Sequence, residues 1–166
     1  YQDSHSTILG PDGRVSAAVR AARERGVLFD VANANAHFSF RVARAAIAEG
    51  FLPDTISTDL TNMGLFRRPN AYNLLHIMSK YLNMGLTLEQ IIERTTQIPA
   101  RIIGRPELGF LAEDGVADIA VFRQEDREIE YGTGRGATAE ILKGTTMLRT
   151  MLTMREGALV YRDQAF

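Results

Sequence analysis

Pro53-Asp54-Thr55-Ile56-Ser57-Thr58-Asp59-Leu60-Thr61-Asn62 is the stretch from which the fold is read. Asp54 to Thr58 can form a short buried strand, which ends in a carboxylate, Asp59, and opens into a loop containing Asn62 and Gly64. In parallel α/β architectures, ligands and catalytic groups collect at the carboxyl edge of the strands, so Asp59 is well placed for chemistry. Strand-end aspartates also cap helices and hold turns, and the neighbouring segments must decide between the two uses.

Upstream, Val15, Ala18, Val19 and Ala22 recur at helical spacing between Arg14 and Arg25, and Gly26 provides the stop. Val27 to Val31 is apolar and of strand length. A second helix is expected from an N-cap at Ser39 through Phe40, Ala43 and Ile47 to Gly50, just before the organising strand. Helix, strand, helix, strand with short connections is the pattern of parallel βα units. Downstream, a third helix is expected over about Ala71 to Met84. Thr87-Leu88-Glu89-Gln90 has the form of a capping box that opens a fourth, and Pro99 to Gly104 suits one more short helix.

Beyond Arg105-Pro106 the character changes. Asp118 to Phe122 reads as a strand, Arg123 to Gly136 as a charged and then glycine-rich connection, and Thr150–Arg155 with Ala158–Arg162 as a hairpin turning at Glu156-Gly157. The expected organisation is an α/β part over residues 1–104 and a small β part over residues 105–166.

Composition narrows the function. Hydrophobic residues make up 45% and charged residues 23% of the 166 residues, as in globular proteins that build a core. A net charge of −1 offers no basic field for a phosphate backbone, which argues against nucleic acid as a partner. No apolar run approaches the roughly 20 residues that span a bilayer, so no membrane partner is expected. The lack of cysteine removes thiolate ligands and thiol nucleophiles, and fits a cytoplasmic setting.

Among groups that could carry chemistry, His37 and His5 stand in loops on the same rim as Asp59 if the strands run parallel, where they could touch substrate or metal or merely cap turns. Asn33 and Asn35 follow the strand ending at Val31 and could orient a polar ligand or hold a turn. His76, inside the third helix, reads as structural or exposed. Gly132-Thr133-Gly134-Arg135-Gly136 lacks the Lys-Ser/Thr and the helix of a phosphate cradle, and reads as a flexible loop of the β part. There is no serine nucleophile elbow and no His-Glu-x-x-His helix. A carboxylate acting as general base or metal ligand, assisted by amide and imidazole groups, is what remains.

Several blocks look like one family. Phe29-Asp30-Val31, Phe38-Ser39-Phe40, the run Gly50 to Leu60, Met78-Ser79-Lys80, Thr96-Gln97-Ile98-Pro99-Ala100, Gly104 to Gly109 and Ala117 to Phe122 together resemble the deacetylase or dihydroorotase-like branch of the amidohydrolase superfamily. The resemblance implies a (β/α)8 TIM barrel with a β-sandwich, of which this chain would be the C-terminal part: about strands 7 and 8 with their helices, then part of the sandwich. A complete barrel takes about 250 residues, so Tyr1 is expected to lie just after the sixth strand of a longer polypeptide.

By the same resemblance, Asp59 binds a divalent metal, usually zinc, takes the proton of the metal-activated water as it attacks an amide carbonyl, and passes it to the departing nitrogen. A metal lowers the water's pKa towards roughly 7, within reach of a carboxylate shuttle. Two departures fall where substrate is held. Asn33 stands where the branch often has the histidine of Asp-Val-Gly-His-Gly, with His37 further on, and Thr61 and Asn62 stand where a histidine often follows the strand-8 Asp-Leu pair.

The first expectation is therefore metal-dependent hydrolysis of a C–N bond in a small cyclic amide or acylated amino compound. Asp59 would be base and metal ligand, with Asn33, His37, His5 and Asn62 near the substrate. The second is a truncated, noncatalytic chain kept as a structural or interaction module. Either way an isolated half-barrel would expose strand edges and apolar faces, so a homo-oligomer or the remainder of the barrel is expected to cover them.

Overall fold

A computed structural model describes residues 1–3, 6–33, 37–62, 72–134 and 139–166. The α/β alternation expected from the sequence is present. Helix α1 (Ala17–Glu24) is capped by the Ser16 hydroxyl, which accepts from the Val19 amide. Strand β1 (Asp30–Val31) leads to helix α2 (Phe40–Ala48), capped by Ser39 at the Val42 amide, and then to strand β2 (Thr55–Ile56). The two strands pair in parallel, with Asp30 opposite Thr55 and Val31 opposite Ile56. They are shorter than the expected Val27–Val31 and Asp54–Thr58.

Helix α3 (Leu74–Leu82) begins at Asn73, whose side chain accepts from the His76 amide at 2.8 Å. Helix α4 (Leu88–Thr95) opens with both halves of the Thr87–Gln90 capping box, at 3.2 and 3.0 Å. Helix α5 (Gln97–Ile102) follows directly and holds Pro99 in its first turn, where an amide hydrogen would have no intrahelical partner.

The last third is an antiparallel sheet in the order β3-β4-β5, formed by β3 (Ile119–Thr133), β4 (Glu140–Arg155) and β5 (Ala158–Arg162). Glu156 and Gly157 both have positive φ, 50° and 80°, the left-handed pair of a tight hairpin turn at the expected place. The charged stretch after Arg123, expected as a connection, is instead the body of a 15-residue strand. Its charges lie mainly on the solvent side, while Tyr131 and Thr133 are buried at two-residue spacing. Gly132 and Thr133, read as part of a flexible loop, end that strand, whereas Arg135 and Gly136 lie outside the described residues.

One core runs through both parts. Val31 and Ile56 pack with Phe38, Phe40, Ile77, Met78 and Tyr81, and also with Tyr131, Leu142 and Leu148 of the sheet. Helix α3 is the joint. Ser79 Oγ donates to Leu75 O and accepts from the Leu148 amide at 2.8 Å.

The β3–β4 ladder shifts register between Asp126 and Ile129, and beside this shift Asn83 donates to Thr146 O (2.7 Å) and accepts from the amides of Thr145 (2.9 Å) and Thr146 (3.2 Å). Gly144 passes so close that a Cβ there would sit 2.5 Å from Asn83 Cγ. A side chain held by those hydrogen bonds could not readily yield. Among the described residues, no helix is long and apolar enough to cross a membrane.

Candidate active site

The carboxyl ends of β1 and β2 bring together two of the residues singled out in the sequence. His37 Nδ1 lies 2.7 Å from Asp59 Oδ2. An ionised carboxylate can only accept, so Nδ1 carries the hydrogen. Asp59 has φ +48°, a left-handed conformation that aspartate adopts more readily than most residues and that aims its side chain differently from a continuing strand. Both groups meet solvent, with side chains 55% and 30% exposed.

The strands themselves divide by face. Val31 and Ile56 point into the core. On the other face, Asp30 accepts from Thr55 Oγ1 at 2.7 Å and from Ser57 Oγ at 2.8 Å, a polar cross-strand cluster leading towards Asp59. This face borders an open cleft of about 660 Å³, lined also by Leu28, Ile102 and Ile103.

Asn33 is placed otherwise. It is buried, and its amide nitrogen donates to Val31 O (3.0 Å) and Ser57 O (2.6 Å), while its oxygen lies 3.5 Å from the Tyr81 hydroxyl. It ties the two strand ends together from the helix side. Asn62 is exposed. His5 and Asn35 lie outside the described residues. Among the described residues, no three His, Cys, Asp or Glu side chains cluster as a metal site. Asp59 suits a divalent cation as one oxygen ligand, and among the described residues it is not joined by two further His, Cys, Asp or Glu ligands.

Sequence reasoning passed over Lys80, singled out only as part of Met78-Ser79-Lys80. It is 3% exposed, and its ammonium lies 3.6 Å from the centre of the Phe38 ring and 5.8 Å from those of Phe40 and Tyr81. Burial pulls its pKa down to about 7, against the attraction of the ring faces for the charged form. A lysine within a helix whose apolar side is otherwise regular was the available signal. His76, expected to be structural or exposed, packs edge-on against Tyr72 and at a tilt against Tyr131, and burial lowers its pKa to about 4.

A deacetylase from Agrobacterium fabrum is 33% identical over 138 residues, 83% of this chain and 33% of its own length. A deacetylase from Brucella anthropi is 32% identical over 138 residues, 83% of this chain and 34% of its own. The crystal structure of a dihydroorotase superposes with a TM-score of 0.69 at 26% identity, covering 89% of this chain and 39% of that one. The chain belongs to the amidohydrolase superfamily.

The crystal structure of an adenine deaminase shares the fold over 98% of this chain and 43% of its own, with a TM-score of 0.88 and 24% identity. No family model matches the chain. The amidohydrolase segment seen here spans about a third of the length of the curated relatives it matches. Its α/β content corresponds to part of the barrel of its structural neighbours.

Proposed function

We propose that this chain is the part of a metal-dependent amidohydrolase that carries the strand-8 aspartate, and that the full-length protein hydrolyses a C–N bond in a small acylated amino compound or cyclic amide. In this reading β1 and β2 are barrel strands 7 and 8. The observation that carries it is the pairing of Asp59 with His37 at the carboxyl ends of two parallel strands, in a chain related over most of its length to deacetylases.

A divalent cation, zinc by preference, would when bound polarise the scissile carbonyl and lower the pKa of water towards neutrality. Asp59 would be one of its ligands. The Asp59 carboxylate takes the proton of the attacking water and returns it to the departing nitrogen. His37 holds that carboxylate in place through its Nδ1–H. Asn33 serves the rim from behind by fixing the ends of β1 and β2, while Asn62 and His5 stand near the substrate. The exposed side chains of Leu28 (55%), Ile102 (45%) and Ile103 (68%) support cover of the open strand face by the remainder of the barrel, or by a second copy.

The test is to incubate the full-length protein with a panel of N-acetylated amino acids and five- and six-membered cyclic amides, before and after chelation and with zinc returned. Hydrolysis that chelation removes and zinc restores is expected. No hydrolysis of the panel, or hydrolysis indifferent to chelation, overturns the reading. Absence of any hydrolysis by a zinc-loaded protein with an intact fold would instead favour a noncatalytic module.

A further inference from the structure

The end of the β3–β4 hairpin reaches the site. Thr133 and Glu140 are the terminal pair of that ladder, the last residue of β3 opposite the first of β4. Both dock on the backbone beside His37. The Thr133 hydroxyl, in a residue 2% exposed, donates to Phe38 O at 2.5 Å. Glu140 Oε2 accepts from the Phe40 amide at 2.6 Å, satisfying a first-turn donor of α2 with a negative charge. About a hundred residues of chain separate each partner from the other, so these contacts are tertiary.

Phe38 is fixed on its other sides as well. Its ring lies under the Lys80 ammonium and is edge-on to Phe40 and Tyr81, and the Ser39 amide donates to Tyr1 O at 2.7 Å. His37 itself is half exposed, and its imidazole meets the Asp59 carboxylate. The backbone that sets where the imidazole starts is therefore held from the sheet as well as from α3 and Tyr1, next door in sequence to the residue that meets the carboxylate.

We propose that Thr133 and Glu140 are positioning residues: the hairpin end clamps the Phe38–Phe40 backbone and so sets the His37–Asp59 separation. The catalytic consequence rests on the function proposed above, but the geometric claim does not. Its physical basis is that a group misplaced by about 1 Å can cost a hundredfold in rate. The conservative variants T133S and E140Q keep a hydroxyl donor and a carbonyl-type acceptor, whereas T133V and E140A delete them.

The test uses the His37 Cε1–H NMR resonance of the full-length protein, assigned by its loss in H37Q. The shift produced by D59N reports the His37–Asp59 contact. That shift is expected to fall to half or less in the T133V and E140A backgrounds and to persist in T133S and E140Q. With substrate, T133V and E140A should lower kcat about tenfold with KM within twofold, and the conservative variants should restore it. An unchanged D59N-induced shift in T133V and E140A overturns the proposal. So does a loss in the conservative variants equal to that in the deletions, since it would mark general disruption. If one deletion variant does not fold, the other decides. If the wild-type protein hydrolyses nothing, the function fails while the NMR comparison still tests the clamp.

Discussion

His37 Nδ1 and Asp59 Oδ2, 22 residues apart in sequence, meet at 2.7 Å across the ends of two parallel strands. The contact separates two roles for the histidine. An orienting group acts on the carboxylate and leaves substrate binding alone, whereas a substrate contact alters KM. We expect H37A in the full-length protein to lower kcat by about ten- to a hundredfold, as for other groups that orient a metal ligand, with KM changed less than threefold. Because the side chain is 55% exposed, unfolding free energy should move by no more than about 0.5 kcal/mol. Steady-state kinetics of H37A against wild type checks this; a rise in KM at unchanged kcat would assign His37 to the substrate.

Much of this rim was legible before the structure. Ser39 and the Thr87–Gln90 box marked helix starts because capping chemistry is local, and the short run from Asp54 to Thr58 that ends in Asp59 marked a strand edge. Long-range placement was not legible. Asn33 reads equally well as a ligand group or a turn former, and only the approach of Ser57 O and Tyr81 makes it a tie between strands. The continuation of strand β3 past Phe122 was missed because Arg123 to Glu130 is dominated by charge, and the alternation that places Ile129, Tyr131 and Thr133 on the inner face begins late. The contacts of Thr133 and Glu140 with the site depend on tertiary docking that no local pattern encodes.

Lys80 gives the fold a pH dependence of definite sign. Its pKa falls from 10.5 in the unfolded chain to about 7 in the fold, burial being the cause. Between these values the unfolded chain binds a proton that the folded chain does not, so stability rises with pH over that window and is lost as pH falls towards 7. The upper bound is roughly 5 kcal/mol at about 1.4 kcal/mol per pKa unit, reduced by the attraction of Phe38 for the ammonium. Urea unfolding at pH 6.5, 8 and 9.5 should show this rise in the wild type and a flatter profile in K80M, the difference between the two excluding other titrating groups. Parallel profiles would show that Lys80 titrates outside the window.

The role of Asp59 is tested most directly by the rate of metal-dependent C–N hydrolysis in D59N. The substitution keeps the side chain's shape and an acceptor oxygen while removing the charge that binds the cation and takes the proton. With the zinc-loaded full-length protein and whichever N-acetylated or cyclic amide the wild type turns over, kcat should fall by about a hundred- to ten-thousandfold, the usual worth of a general base. Turnover by D59N within threefold of wild type would contradict the assignment of Asp59 as base.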